Sequence, residues 1–450
     1  MTVACRESSA FGQKAYSLNG RRSAWARGGS LVRPMNNSPA FITPPLHDSR
    51  EAVLRLLVTL ALMAIGAAGM YVVPVVLPAV QVEFGVARAD ASLPYTLQMI
   101  GFGLGGILMG RLADRFGITV PLLLGAVCLG LGFMMAAFSP NIWVFMAVHG
   151  IFIGMLGASC TFAPLIADTS LWFVRRRGIA VAVCASGNYL GGAIWPPIVQ
   201  HFVESVGWRT TYFGMAAFCT ICMSALALMM RRRPPLAGGT PVATGHGVPG
   251  SMPFGFTPGQ AQGLLCVAGV ACCVAMSMPQ VHIVAYCTDL GFGAARGAEM
   301  LSIMLGFGIV SRLVSGAICD RIGGLRTLLL GSALQTLALV LFLPFDGLAS
   351  LYVVSALFGL FQGGIVPAYA IIVREHFPTK EAGARVGTVI MATLVGMAIG
   401  GWMSGKVFDL TGSYHAAFLN GIAWNLLNFG IVLMLLVRVR RNRRRAFAVA

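Results

Sequence analysis

Twelve long apolar runs, each closed by a short polar turn, constrain this chain more than any other feature. They cover roughly residues 53–80, 92–112, 118–138, 142–165, 178–200, 209–230, 261–285, 299–319, 326–343, 349–373, 383–405 and 415–437. A membrane-spanning helix needs about 20 mostly apolar residues. Inside lipid every backbone polar group must be satisfied within its own segment, so each run is expected to be a helix. The runs at 299–319 and 326–343 are the shortest or most interrupted. Charged residues make up only 10% of the chain, against about a quarter in a soluble protein. The 56 glycines suit membrane helices that pack through small residues.

A short motif occurs twice, some two hundred residues apart. The first copy is Gly110-Arg-Leu-Ala-Asp114-Arg115-Phe-Gly117 and the second is Gly316-Ala-Ile-Cys-Asp320-Arg321-Ile-Gly323. Both read G-x-x-x-D-R-x-G where an apolar run meets a charged turn. The stretch 234–260, rich in Pro and Gly, follows the sixth run and its three arginines. The expected fold is therefore an all-α membrane protein with twelve transmembrane helices in two pseudo-symmetric six-helix halves. The halves would span 51–233 and 261–437, joined by a cytoplasmic linker at 234–260. A polar segment at 1–50 lacks the apolar core of a signal peptide and reads as a disordered cytoplasmic tail. Met35 precedes the first run closely, so translation starting there, with residues 1–34 not native, is an expectation. Residues 438–450 read as a basic cytoplasmic tail.

The net charge of +17 does not point to nucleic acid, because the basic residues cap the apolar runs instead of forming one soluble face. Nineteen Lys and Arg lie in the turns after runs 2, 4, 6, 8 and 10 and in the tail. Only Arg88, Arg209, Arg296 and Lys406 lie in the opposite turns. This asymmetry predicts that both termini are cytoplasmic. The eleven cysteines fall mostly inside apolar runs and read as packing residues, not disulfides; Cys219-x-x-Cys222 has no second pair to make a metal site.

Gly101-Phe-Gly103-Leu-Gly105-Gly106 matches a dinucleotide-binding pattern but lies within the second run, not between strand and helix. Gly400 to Lys406 resembles a P-loop, yet Val407 stands where Ser or Thr is required. No nucleotide site, catalytic constellation, metal or cofactor is expected, and so no enzyme.

The two halves and their G-x-x-x-D-R-x-G turns resemble the major facilitator superfamily over roughly residues 53–437. The resemblance implies two rigid halves that rock about a central substrate site, with Gly110, Asp114, Arg115, Gly117, Gly316, Asp320, Arg321 and Gly323 as gating elements. Each Asp can accept from a neighbouring helix start or pair with an Arg, and such a latch biases one rocked state over the other; a static cap is the plain alternative. The chain departs from the fuller pattern at Ile118 and Thr119, where a basic pair is usual, and keeps one basic residue at Arg326. Trp172 to Ala182, with Ser186-Gly187-Asn188-Tyr189-Leu-Gly191-Gly192 and Trp195-Pro196-Pro197, is similar to monocarboxylate and oxalate/formate-type porters, as is Leu93 to Gly117. The helix 1 signature of animal monocarboxylate porters is absent from Gly66 to Tyr71.

One cation is left unexplained by topology. Arg312 lies about 10–12 Å inside the eighth run, at 1.5 Å per residue. A guanidinium there needs a wet cavity or a partner, and the fifteen acids sit in tails, turns and helix ends. A bound carboxylate would satisfy it bidentately; snorkelling to the interface is the structural alternative. The resembled porters hold substrate with an Arg in helix 8, in the stretch matched by Ser311-Arg312-Leu-Val-Ser-Gly316. Gly308 stands where animal members have an Asp, and Lys406 is too peripheral to match the helix 11 Lys of oxalate/formate exchangers. Tyr71, Gln98, Asn188, Tyr189, Gln280, His282, Gln362 and Tyr369 are the other cavity-lining candidates, each with a helix–helix hydrogen bond as its alternative. His282 and His149 are candidate proton carriers.

The expected function is secondary transport of a small organic anion, a mono- or dicarboxylate, by proton symport or anion exchange. The expected setting is the bacterial inner membrane, with the protein acting as a monomer in the bilayer and with no nucleic acid or nucleotide partner. The competing readings are efflux of an apolar or cationic compound, which commonly needs an acid within the membrane, and a non-transporting membrane sensor, which needs a folded cytoplasmic domain.

Overall fold

The computed structural model describes residues 49–173, 177–232 and 253–449. The expectations for residues 1–48 and for most of the linker lie outside the described residues. Every regular element among those described is a helix, and twelve are long and apolar enough to cross a membrane. The first half holds α1 (Arg50–Phe84), α2 (Arg88–Phe116), α3 (Thr119–Ala137), α4 (Ile142–Trp172), α5 (Gly178–Val206) and α6 (Trp208–Met229). The second half holds α7 (Pro258–Asp289), α8 (Ala294–Ile322), α9 (Gly324–Leu341), α10 (Leu348–His376), α11 (Glu381–Thr411) and α12 (Tyr414–Asn442).

Several boundaries differ from expectation for local reasons. Ser49 accepts from the Ala52 N–H, so α1 begins inside the expected tail. A capping box between Thr257 and Gln260 starts α7 before the expected end of the linker. The last helix runs on through the arginine-rich segment to Val449, because arginine is a good helix former, so the segment expected as a basic tail is helical. α4 runs past 165 to Trp172 and carries Asp168 with it. That acid lies near the end of the helix, as expected, but is buried there. It is only 7% exposed, and Arg55 of α1, 8% exposed, grips both its oxygens at 2.9 and 3.0 Å.

Three helices are broken at mid-length. α1 is interrupted at Ala67. α4 passes from an α-helical start through a π-helical segment, His149–Gly157, and one 3₁₀ turn before resuming at Ala163. α10 breaks at Gly363 and Gly364. Pro164 in α4 and Pro367 in α10 contribute to the breaks there by removing backbone donors.

The duplication is visible in backbone geometry. Gly117 closes α2 at φ 85°, ψ 164°, and Gly323 closes α8 at φ 85°, ψ 162°. Each N–H returns to a carbonyl four residues earlier, Ala113 and Cys319, at 2.8 Å in both cases. Positive φ costs glycine little and other residues much, which is why the motif ends in Gly twice. The halves pack α2 on α11, α5 on α8 and α1 on α7.

Candidate functional site

Arg312 sits where α8 of the second half meets α5 of the first. Its Nη1 donates to the Ala185 carbonyl at 2.8 Å, across the interface between halves. Its Nε donates to the Gly363 carbonyl at 3.4 Å. That second acceptor exists because Pro367, four residues on, has no N–H to offer it. The guanidinium lies 4.3 Å from the ring centroid of Tyr189, a cation–π contact. No carboxylate pairs with Arg312 among the described residues, and Nη2 has no hydrogen bond there. The cation is thus held by neutral carbonyls and an aromatic face, with donors to spare.

Its neighbours are tied together in turn. The Tyr71 hydroxyl of α1 donates to Asn188 Oδ1 at 2.9 Å, and Asn188 Nδ2 lies 3.3 Å from the Met70 sulfur. Gly308 leaves room for Tyr189: a Cβ there would sit 2.9 Å from the ring. Glycine at this position therefore makes space for the ring under Arg312. The structure brings Arg312, Tyr189, Asn188 and Tyr71 into one cluster spanning both halves.

The remaining candidates lie elsewhere. Gln98 donates to the Gly69 carbonyl at 2.5 Å and is fully buried, joining α2 to α1. Gln280 donates to Gln362 at 2.9 Å, joining α7 to α10. Tyr369 is fully buried within the second half and donates to Asn428 at 2.8 Å. His149 bridges the Phe145 carbonyl and the Tyr212 hydroxyl. In each case the partner is a helix neighbour, because a buried polar group must find one. His282 is fully buried between the Gly401 carbonyl, 2.8 Å, and the Tyr414 hydroxyl, 3.4 Å.

His282 leads to a second cluster, which the sequence reading missed. Arg88 opens α2 on the arginine-poor face and is 8% exposed. Its guanidinium donates to both oxygens of Asp289 at 3.1 and 3.2 Å and to the Tyr414 hydroxyl at 2.7 Å. It also lies 4.8 Å from the Phe408 ring centroid. Ala87, at the N-cap of α2, offers no side-chain acceptor. Asp409 supplies one from the other half, accepting from the Arg88 and Ala89 N–H groups at 2.9 and 2.8 Å. A carboxylate at a helix N-terminus satisfies orphan donors and complements the dipole. Four residues of the second half thus hold one helix end of the first. The only signal in the sequence was the scarcity of cations on that face.

Two further bonds cross between halves near mid-membrane. Thr96 donates to the Ala398 carbonyl at 2.9 Å. Ser302 donates to the Ala193 carbonyl, which Pro197 leaves without its helical donor. Among the described residues, no hydrogen bond or ion pair joins the halves beyond Arg312 toward the arginine-rich face. The motif turns lie on that side. Asp114, Asp320 and Arg321 are exposed, and neither Asp has a partner among the described residues. Nothing lies within 4 Å of a Cβ built on Gly110 or Gly316. Arg115 lies 5.1 Å from the ring of adjacent Phe116. The start of α9 is held instead by Glu375, whose oxygens accept from the Gly324 N–H at 3.2 Å.

Two six-helix halves latched at one face, with residues 58–350 and 263–448 matching the Major Facilitator Superfamily, decide the family. The chain belongs to that superfamily. The MFS-type transporter opdF of Penicillium oxalicum is 27% identical over 77% of this chain and 81% of its own length. Monocarboxylate transporter 13 of Rattus norvegicus is 26% identical over 77% of this chain and 78% of its own. Among solved structures, the nucleoside transporter NupG aligns over 85% of this chain and 99% of its own at 12% identity, with a TM-score of 0.68. A bacterial homologue of the human lysosomal transporter Spinster, inward-facing and occupied, covers 87% of this chain and 97% of its own at 11% identity and a TM-score of 0.62. As a superfamily member the chain is a membrane transporter, not an enzyme.

Proposed function

We propose that this protein carries a small organic anion, a mono- or dicarboxylate, by alternating access between its two halves. The observation that carries the reading is Arg312, a half-buried guanidinium between the halves with no acidic partner among the described residues. A planar fork already positioned by carbonyls and an aromatic face binds a carboxylate without paying for its own ordering. Asn188 and Tyr71 are the polar groups beside it, and the anion would bridge them to Arg312. The likeness to a monocarboxylate transporter supports the same class.

Rocking would be driven by proton symport or anion exchange. The arginine-rich face is assigned to the cytoplasm of a bacterial inner membrane, with both termini there. The present state is then open inward. Asp114 and Asp320 would find their partners only when that face closes. Cation efflux is disfavoured because the one buried acid among the described residues, Asp168, is neutralised by Arg55.

Uptake of labelled carboxylates into proteoliposomes, with and without a pH gradient, tests this. Arg312→Ala should abolish uptake while protein remains in the membrane. Near-normal uptake by that variant would refute the assignment. Stimulation by an inward proton gradient would select symport; dependence on internal anion would select exchange.

A further inference from the structure

The cavity above the Arg88 latch has a chemistry that the central site does not explain. It measures about 300 Å³ and opens on the arginine-poor face between the ends of α1 and α7, lined by Pro78, Gln81, Val86, Arg88, Ala285 and Asp289 among others. Arg88 is part of its lining. Its side chain is more than nine-tenths buried, yet its Nε has no hydrogen-bond partner. Asp289, which takes the other edge of the guanidinium, remains 35% exposed. Both oxygens of that one carboxylate engage Arg88, so the latch closes on the same two-oxygen group that a carboxylate solute presents.

We propose that this cavity is an anion-recognition vestibule in which an entering carboxylate replaces Asp289 on Arg88 and so releases the outer latch. The proposal rests on the organic-anion reading above and deepens it. The exchange is between like groups, so Arg88 is never left without a counter-ion; a buried unpaired guanidinium would be the costly state. The exposure of Asp289 permits it: that carboxylate lines the cavity and is 35% exposed, so a solute can approach the pair from its open side while Asp289 still holds the terminal nitrogens. Once Asp289 leaves, the remaining cross-half contacts at that point are Tyr414, Asp409 and the Phe408 ring. A neutral or cationic solute offers nothing to exchange and leaves the latch shut. The vestibule would therefore select anions before they reach Arg312.

The test is the access of a water-soluble maleimide to a thiol introduced by Ala285→Cys in the full chain in nanodiscs. Ala285 lines the cavity but is fully buried. The chain without that substitution supplies the background from native cysteines. Acetate, lactate and oxalate are compared with chloride at equal ionic strength, which removes screening as a cause. At least one carboxylate should raise the labelling rate several-fold over chloride. Asp289→Asn should raise labelling without added anion. Arg88→Gln should raise it too and abolish the anion response, whereas Arg88→Lys, which keeps the charge, should retain a weaker response. Arg312→Ala should leave the response intact.

Labelling indifferent to carboxylates, an unaltered response in Arg88→Gln, or loss of the response in Arg312→Ala would each overturn the vestibule. The carrier reading fails differently: uptake that survives Arg312→Ala removes it while the labelling response stands.

Discussion

The two faces of this molecule use the same residue types for opposite ends. On the arginine-poor face, Arg88 of one half is held by Asp289, Asp409 and Tyr414 of the other. On the arginine-rich face, Arg55 is held by Asp168 and the Met230 carbonyl of its own half, with its guanidinium 4.6 Å from the Trp172 ring centroid. Both are buried arginines with acidic and aromatic partners. One joins the two halves; the other ties α1 to α4 within one half. What differs is which half owns the acid. A charge network within a half sets stability, and one between halves sets the equilibrium of states.

The comparison breaks most readily at Arg55. Arg55→Ala leaves Asp168 buried and unpaired, which should cost about 3–5 kcal/mol. It should lower the melting temperature of purified protein and reduce its amount in the membrane. Replacing both members with apolar residues of similar volume should recover most of that loss. If Arg55→Ala instead changes the ratio of open states at unchanged stability, the distinction between the faces is wrong.

Gly308→Ala comes next. The added Cβ meets the Tyr189 ring at 2.9 Å, and overpacking of this kind costs about 1–3 kcal/mol. Because Tyr189 lies under Arg312, substrate affinity should fall more than stability does, read from concentration-dependent uptake beside a melting curve. An equal fall in both would make the position one of packing only.

Asp409→Asn should have a smaller effect of another kind. It weakens the cap that α2 receives from the other half, worth about 1 kcal/mol, which is roughly a fivefold change in the ratio of two states. Spin-label distances across the arginine-poor face should show more separated halves, with the melting temperature little changed. The smallest effect on this state belongs to Asp114→Asn. Asp114 is exposed and has no partner among the described residues, so stability should be unaltered while transport slows, since the motif would act only when the arginine-rich face closes. Loss of stability in this variant would show that the turn is a static cap.

The fold was legible because lipid leaves a chain few options. All twelve spans answer to apolar runs, and the paired turns at Gly117 and Gly323 repeat one geometry to within a few degrees. α4 runs seven residues past the expected 165, and Asp168 is buried near its end. Its partner Arg55 is 113 residues away, and local sequence does not reveal such a pairing. Arg312 stood out as a cation without an acid, and Asn188, Tyr189 and Tyr71 do gather around it. Its anchoring by Gly363 was half-written in Pro367. Tyr369, Gln98 and Gln362 failed to join the cluster because a polar residue on an apolar helix looks alike whether it faces a cavity or a neighbouring helix. The Arg88 latch lies across more than 320 residues, assembled from helix ends that individually read as turns.

The central claim, that Arg312 waits for a carboxylate, is met most directly by binding. Carboxylates titrated onto purified protein should raise its melting temperature progressively, as any ligand selective for the folded state does. Arg312→Ala should retain the fold and lose that response entirely, and Arg312→Lys should keep only part of it. An undiminished response in Arg312→Ala would contradict the account.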